Sequence, residues 1–214
     1  MSEKKKSSFL AVFAMLLVLS VVLGGTLAYL TKNLGSRANN FTLSSIDIEL
    51  IEEKWDNLDS DDRVVYPGRS IVKDPKVKNT GDNNLYVYIE VKVPLENIRT
   101  VSDGEVKCRE ILEFNVNKDD WTLIKSTTSE NYQVKVYAYT KEILAPGDET
   151  STLFESDKVT FVNMIEGESK KGYEFEMPIN AYAIQSDYLA VEGESMQEIM
   201  KNAFEKYKTA EENQ

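Results

Sequence analysis

Histidine is absent from all 214 residues of this chain, and cysteine occurs once, as Cys108. The missing imidazole removes the commonest general base and the commonest zinc ligand together. No HExxH helix, Ser-His-Asp triad or Cys-His pair can be assembled. Carboxylate-only chemistry and a Ser-Lys pair survive that exclusion, but no spacing points to either, so the chain reads as non-enzymatic and free of cofactors. A single thiol forms no intrachain disulfide; a domain built here is held by its core, by a bound ion or by assembly. Cys108 itself reads as a small buried hydrophobe, with an interchain bridge as the other use of it. Basic residues are also in the minority, 25 against 36 acidic, for a net charge of −11. That balance offers no basic patch for nucleic acid.

What is present begins at the N-terminus. Lys4, Lys5 and Lys6 lead into an apolar run from Phe9 to Leu23, followed by Gly24-Gly25-Thr26-Leu27-Ala28. A positive start, an apolar stretch and small residues at a cut site read as an export signal over residues 1–28. At roughly 15 residues the run is short of the ~20 that span a bilayer, although Leu27, Tyr29 and Leu30 extend it slightly toward an uncleaved anchor. Thr26 and Ala28 take the −3 and −1 positions of the expected cut, and Tyr29 becomes the new N-terminus. The expectation is a secreted or cell-surface protein that meets the membrane only through its signal. Removing residues 1–28 leaves 22 basic and 35 acidic residues, a net charge of −13. A hydrophobic fraction of 42% and an aromatic fraction of 10% favour one folded domain over an acidic disordered chain.

Residues 29–40 are polar and turn-rich. From Phe41 the pattern alternates, with Phe41, Leu43, Ile46, Ile48 and Leu50 set against Asp47 and Glu49, the mark of a half-buried strand. Turns are expected at Pro67-Gly68, Asn79–Asn84 and Pro146-Gly147. Residues 71–77 read as one strand that tolerates Pro75 at an edge or bulge. Leu85–Val93 is the strongest strand, rich in β-branched and aromatic residues. Val106–Val116 reads as either a strand or a short helix. Trp121–Ile124 and Tyr132–Tyr139 read as a hairpin around the polar turn Ser126–Asn131. Shorter strand signals follow at Ser151–Phe154, Val159–Val162 and Tyr173–Gln185. At the end Met196, Ile199, Met200, Ala203, Phe204 and Tyr207 recur at helical spacing over 195–208, with Ser195 and Glu198 placed as a capping box. The sum is a mainly β, antiparallel jelly roll or β-sandwich over residues 46–214, closed by one amphipathic helix that packs on a sheet.

Few side chains suggest a site. Asp56, Asp59, Asp61 and Asp62 crowd one loop, and oxygen-rich loops can hold calcium outside cells. The spacing departs from the EF-hand pattern, and charge runs are usually solvated faces, so a solvated acidic loop is the first reading and calcium the second. The Tyr86/Tyr88 and Tyr137/Tyr139 pairs could line a ligand surface, but i, i+2 tyrosines read first as one face of a sheet.

Four stretches together resemble the TasA/camelysin family of exported fibre and biofilm-matrix proteins of Gram-positive bacteria. They are Gly24–Thr31, similar to the region cut by a SipW-type signal peptidase; Asn40-Phe41-Thr42 leading into Ile46–Leu50; Pro67-Gly68 with Lys73–Gly81 and Tyr86–Ile89; and Pro146-Gly147 with Leu153-Phe154 and Ala181–Gln185. The likeness spans roughly residues 24–190 and leaves 94–130 unmatched. The resemblance implies a jelly-roll subunit that is released by a dedicated signal peptidase and polymerises with itself, with a matrix accessory protein as a possible further partner. Residues 29–45 would be the donor strand, and Tyr29, Asn40, Phe41, Leu43, Ile46, Ile48 and Leu50 the assembly residues. The large negative charge suits that scheme, since it opposes casual aggregation and leaves association to strand pairing. Two other expectations stand beside it: a monomeric secreted binding domain, and a camelysin-like metalloprotease, for which a chain without histidine offers no zinc site.

Overall fold

A computed structural model describes residues 46–212, apart from residues 65, 103, 165–174, 188, 190 and 191. The expected export signal and the expected assembly residues Tyr29, Asn40, Phe41 and Leu43 lie outside the described residues. The described residues belong to one compact unit, Ser44–Gln214.

In chain order the elements are β1 (Ile48–Ile51), α1 (Glu53–Asp56), β2 (Ser70–Val72), β3 (Lys76–Asn79), β4 (Leu85–Arg99), β5 (Val106–Glu110), β6 (Leu112–Glu113), β7 (Trp121–Thr128), β8 (Tyr132–Tyr139), β9 (Lys158–Phe161), β10 (Ile179–Gln185) and α2 (Met196–Glu212). The unit is mainly β, with every strand pair antiparallel and one helix at the end, as expected for a sandwich. The largest sheet runs β10-β4-β8-β7, with β5 on the far end of β4; β1-β3 and β2-β9-β6 form two smaller sheets.

The fifteen-residue β4 is the spine, and its composition explains why. Leu85, Val87, Ile89, Val91 and Val93 point into the main core, while Tyr86 and Tyr88 point the opposite way into a second cluster under α2. A strand covered on both faces needs a continuous apolar run rather than an alternating one. The second cluster joins Tyr86, Tyr88, Val136 and Ala138 to Ile199, Met200 and Phe204, each side chain worth about 1.5–3 kcal/mol of burial for the larger ones. The Tyr88 hydroxyl donates to the Met200 carbonyl at 2.9 Å, so the phenol is satisfied beneath the helix. Its titration is accordingly displaced upward by burial. All four paired tyrosines are buried in the sheet faces. The helix opens on the expected capping box: Glu198 N–H donates to the Ser195 hydroxyl at 3.3 Å, and Ser195 N–H donates to the Glu198 carboxylate at 3.1 Å.

Several local expectations are corrected. Residues 71–77 are two strands in different sheets, because Lys73 N–H donates to Asp157 and the Pro75 carbonyl accepts from Leu153 at the crossing. Val106–Val116 resolves into strands β5 and β6. The hairpin turn contracts to residues 129–131, since β7 runs on through Thr128. Ser151–Phe154 forms no strand, contributing only a bridge between Val116 and Phe154. Cys108 is exposed, not buried: among the described residues β5 pairs with β4 alone, and its 106, 107 and 108 side chains lie open to solvent. Gly68 and Gly147 sit at φ +79° and +85°, the left-handed positions that both Pro-Gly turns require.

Candidate functional site

β1 carries Ile48 and Leu50, two of the assembly residues anticipated from the sequence, so its hydrogen-bonding edges bear on any assembly role. Thr80 N–H donates to the Asp47 carbonyl at 3.0 Å, which sets the phase of the β1–β3 ladder. In an antiparallel pair the outward and inward main-chain groups alternate. Asp47, Glu49 and Ile51 therefore bond to β3, while the N–H and C=O of Ile48 and Leu50 face away from it. The other side of β3 is occupied: Asn79 N–H donates to Asp148 and Thr150 N–H to Val77. Among the described residues β1 pairs with β3 alone and so forms the edge of its two-stranded sheet.

β10 is the second edge among the described residues. Lys92 N–H donates to the Pro178 carbonyl and Ser186 N–H to the Asn84 carbonyl, both at 2.9 Å. The even-numbered residues of β10 consequently bond to β4, and Ile179, Ala181, Ala183 and Gln185 turn their main-chain groups outward. β10 lies against β1. Ile48, Leu50, Ile179, Ala181 and Ala183 all pack, half-buried, on the main core along this seam.

The sheet's other edges carry the usual protections against strand addition. β7 is bulged between Leu123 and Lys125 and exposes lysine. β5 carries Lys107, Arg109 and Glu110. β10, with the sequence Ile-Asn-Ala-Tyr-Ala-Ile-Gln, carries no charge at all.

Immediately after β1 the chain is pinned. The Asp74 carboxylate accepts the main-chain N–H of Lys54 at 3.0 Å and of Trp55 at 3.2 Å, capping α1 from across the fold. The Lys73 ammonium sits 4.3 Å from the centre of the Trp55 ring and donates to Glu52 at 2.8 Å. Arg63 lies over the same ring, 5.1 Å from its centre, and donates to the Trp55 carbonyl. Lys54 pairs with Asp157. Behind β3, Asn79 is fully buried and uses both ends of its amide: the NH2 donates to Asn83 and Leu144 carbonyls, and the oxygen accepts from Gly81.

Of the assembly residues anticipated from the sequence, Ile48 and Leu50 lie on the seam, whereas Ile46 is 48% exposed and outside the strand. Asp56, Asp59, Asp61 and Asp62 are exposed, and Asp62 lies 3.6 Å from Arg69. Among the described residues no three carboxylate or thiol side chains converge as a cation site, these four included. Sequence reasoning passed over Trp55, Lys73, Asp74 and Asn79 as individual actors. The signal available for them was charge and amide within otherwise strand-like stretches, at Lys73-Asp74-Pro75 and at Asn79.

No protein-family model, no curated protein and no solved structure matches this chain.

Proposed function

We propose that this protein is a secreted structural subunit that assembles into extracellular fibres or matrix, with residues 29–45 of one copy adding as a strand to another. The observation that carries the reading is the pair of edges at the β1/β10 seam. Two neighbouring edge strands turn main-chain donors and acceptors outward above half-buried apolar side chains, and β10 lacks the charges that protect edges elsewhere. Strand addition there would satisfy those groups and cover that surface in one step. The resemblance of Gly24–Thr31 and Lys73–Gly81 to the TasA/camelysin family supports the same reading. A chain without histidine or a second cysteine has neither a zinc site for proteolysis nor a disulfide to close the domain, and assembly would supply the missing stabilisation.

The test is electron microscopy with light scattering on protein beginning at Tyr29, beside a version lacking residues 29–40. Fibres from the first and none from the second support strand donation. Two monodisperse monomers at neutral and acidic pH leave a secreted β-domain that binds some other partner.

A further inference from the structure

Glu52 and Lys73 are an ion pair placed between two sheets. Glu52 directly follows β1, at the end of the two-stranded sheet, and Lys73 directly follows β2, in the three-stranded one. Their side chains are 15% and 10% exposed, and the pair closes at 2.8 Å. Only one carboxylate oxygen is used: Oε1 of Glu52 is buried with no hydrogen-bond partner. The groups around the carboxylate make its charge costlier still. Asp74, from the β2–β3 crossing, and Asp56, from α1, both repel it, and Lys73 alone attracts it. The remaining charges nearby are committed to other partners: Lys54 to Asp157 of the 3-10 turn before β9, Lys76 to Glu149 and Glu53, and Arg63 to carbonyls of α1 and the Trp55 ring.

We infer that Glu52 is a proton-operated lock on β1, and that mild acid tightens the attachment of β1 and α1 to the body of the domain. A buried carboxylate with one cation, two carboxylate neighbours and an unmatched oxygen is better accommodated neutral. Protonation gives up the Coulombic attraction to Lys73, which burial outweighs, but keeps the contact itself. A neutral Glu52 carbonyl still accepts from Lys73, and Lys73 keeps its place over Trp55.

Burial pushes the Glu52 carboxyl above the ordinary carboxylate range, against the pull of Lys73. For a group raised in the closed state, the closed state binds the proton more readily than the open one. Closure is therefore strongest below the ordinary carboxylate range and weakens as pH rises through the raised value. This sign is opposite to that of an ordinary surface salt bridge, which acid breaks. It goes beyond the assembly reading and does not depend on it, because it concerns the closing of β1 in each copy.

The experiment is hydrogen exchange with mass spectrometry on the full-length chain from pH 7.5 to 5, corrected for the intrinsic pH dependence of exchange. The readout is protection of amides in residues 48–57, with β8 as internal reference. The expected result is a rise in protection of at least about twofold on acidification, confined to that segment. In E52Q the rise should vanish, whatever the absolute protection of that variant, since the slope and not the level is compared. Protection that stays flat or falls in the parent, or a rise that persists in E52Q, overturns the inference.

Discussion

The Asp74 carboxylate bonds the main-chain N–H of Trp55 across nineteen residues of sequence, at 3.2 Å, while its other oxygen takes the N–H of Lys54. A four-residue helix is far too short to stand alone. Asp74 supplies from another segment the cap that its own N-cap residue, Glu52, does not provide. Asp74 is 3% exposed, and its removal leaves two part-buried donors without their acceptor. Asp74→Ala should lower unfolding free energy in urea by about 1–3 kcal/mol, and Asp74→Asn, which keeps one acceptor, by less. Equal losses in the two variants would remove the capping role.

Asn79 has the more exacting position. Its amide makes three hydrogen bonds to main-chain groups of the turns at Gly81–Asn83 and at Leu144, with no exposure to water. Asn79→Ala leaves those groups unmet and should cost about 2–4 kcal/mol by thermal or denaturant unfolding. Asn79→Asp retains the acceptor, loses both donors and buries a charge, so it should cost at least as much. A near-neutral alanine variant would contradict the hydrogen-bond network.

Cys108 gives the opposite expectation. Because its side chain faces solvent on β5, a thiol reagent should label it in the native state at the rate of an exposed cysteine. Cys108→Ser should shift stability by no more than about 0.5 kcal/mol. Labelling that waits on denaturant would place the thiol in the core after all.

Acid should act on the domain with two signs. Hydrogen bonds from Lys76 and then Lys78 hold Glu149 below the ordinary carboxylate range. Burial alone would raise Asp157, but Lys54 and Thr152 outweigh it and hold it low as well. Groups lowered in the folded state contribute stability above the ordinary carboxylate range and lose it as pH falls through their folded values. Glu52, raised, works in the other direction. Stability should therefore hold or rise slightly from neutral pH to about 5 and fall below about 4. Glu149→Gln should make the acid limb shallower; a limb that superimposes on the parent's would show that Glu149 takes no part in it.

The β-rich, helix-capped architecture was legible because its signals are local. Leu85–Val93 is apolar on both faces, the two Pro-Gly pairs mark left-handed turns, and Ser195 with Glu198 announces the final helix. Residues 71–77 misled because strand propensity is scored along the chain, whereas the break at Lys73–Pro75 is imposed by partners at Asp157 and Leu153. Cys108 misled for a related reason. Free cysteine is usually buried, but a residue's exposure depends on whether a further layer covers its strand, and β5 has none among the described residues.

The sequence alone determined the class of this protein: histidine-free and therefore without an imidazole triad or an HExxH zinc site, disulfide-free within the chain, acidic, and patterned for antiparallel strands with one amphipathic helix. Only the tertiary structure decided which edges are open among the described residues, that β1 and β10 meet, and that Trp55, Lys73, Asp74 and Glu52 form one junction. The reason is physical. Periodicity records which face of an element is apolar, but an edge, a cap supplied from nineteen residues away or a carboxylate with one unmatched oxygen exists only through partners distant in the chain.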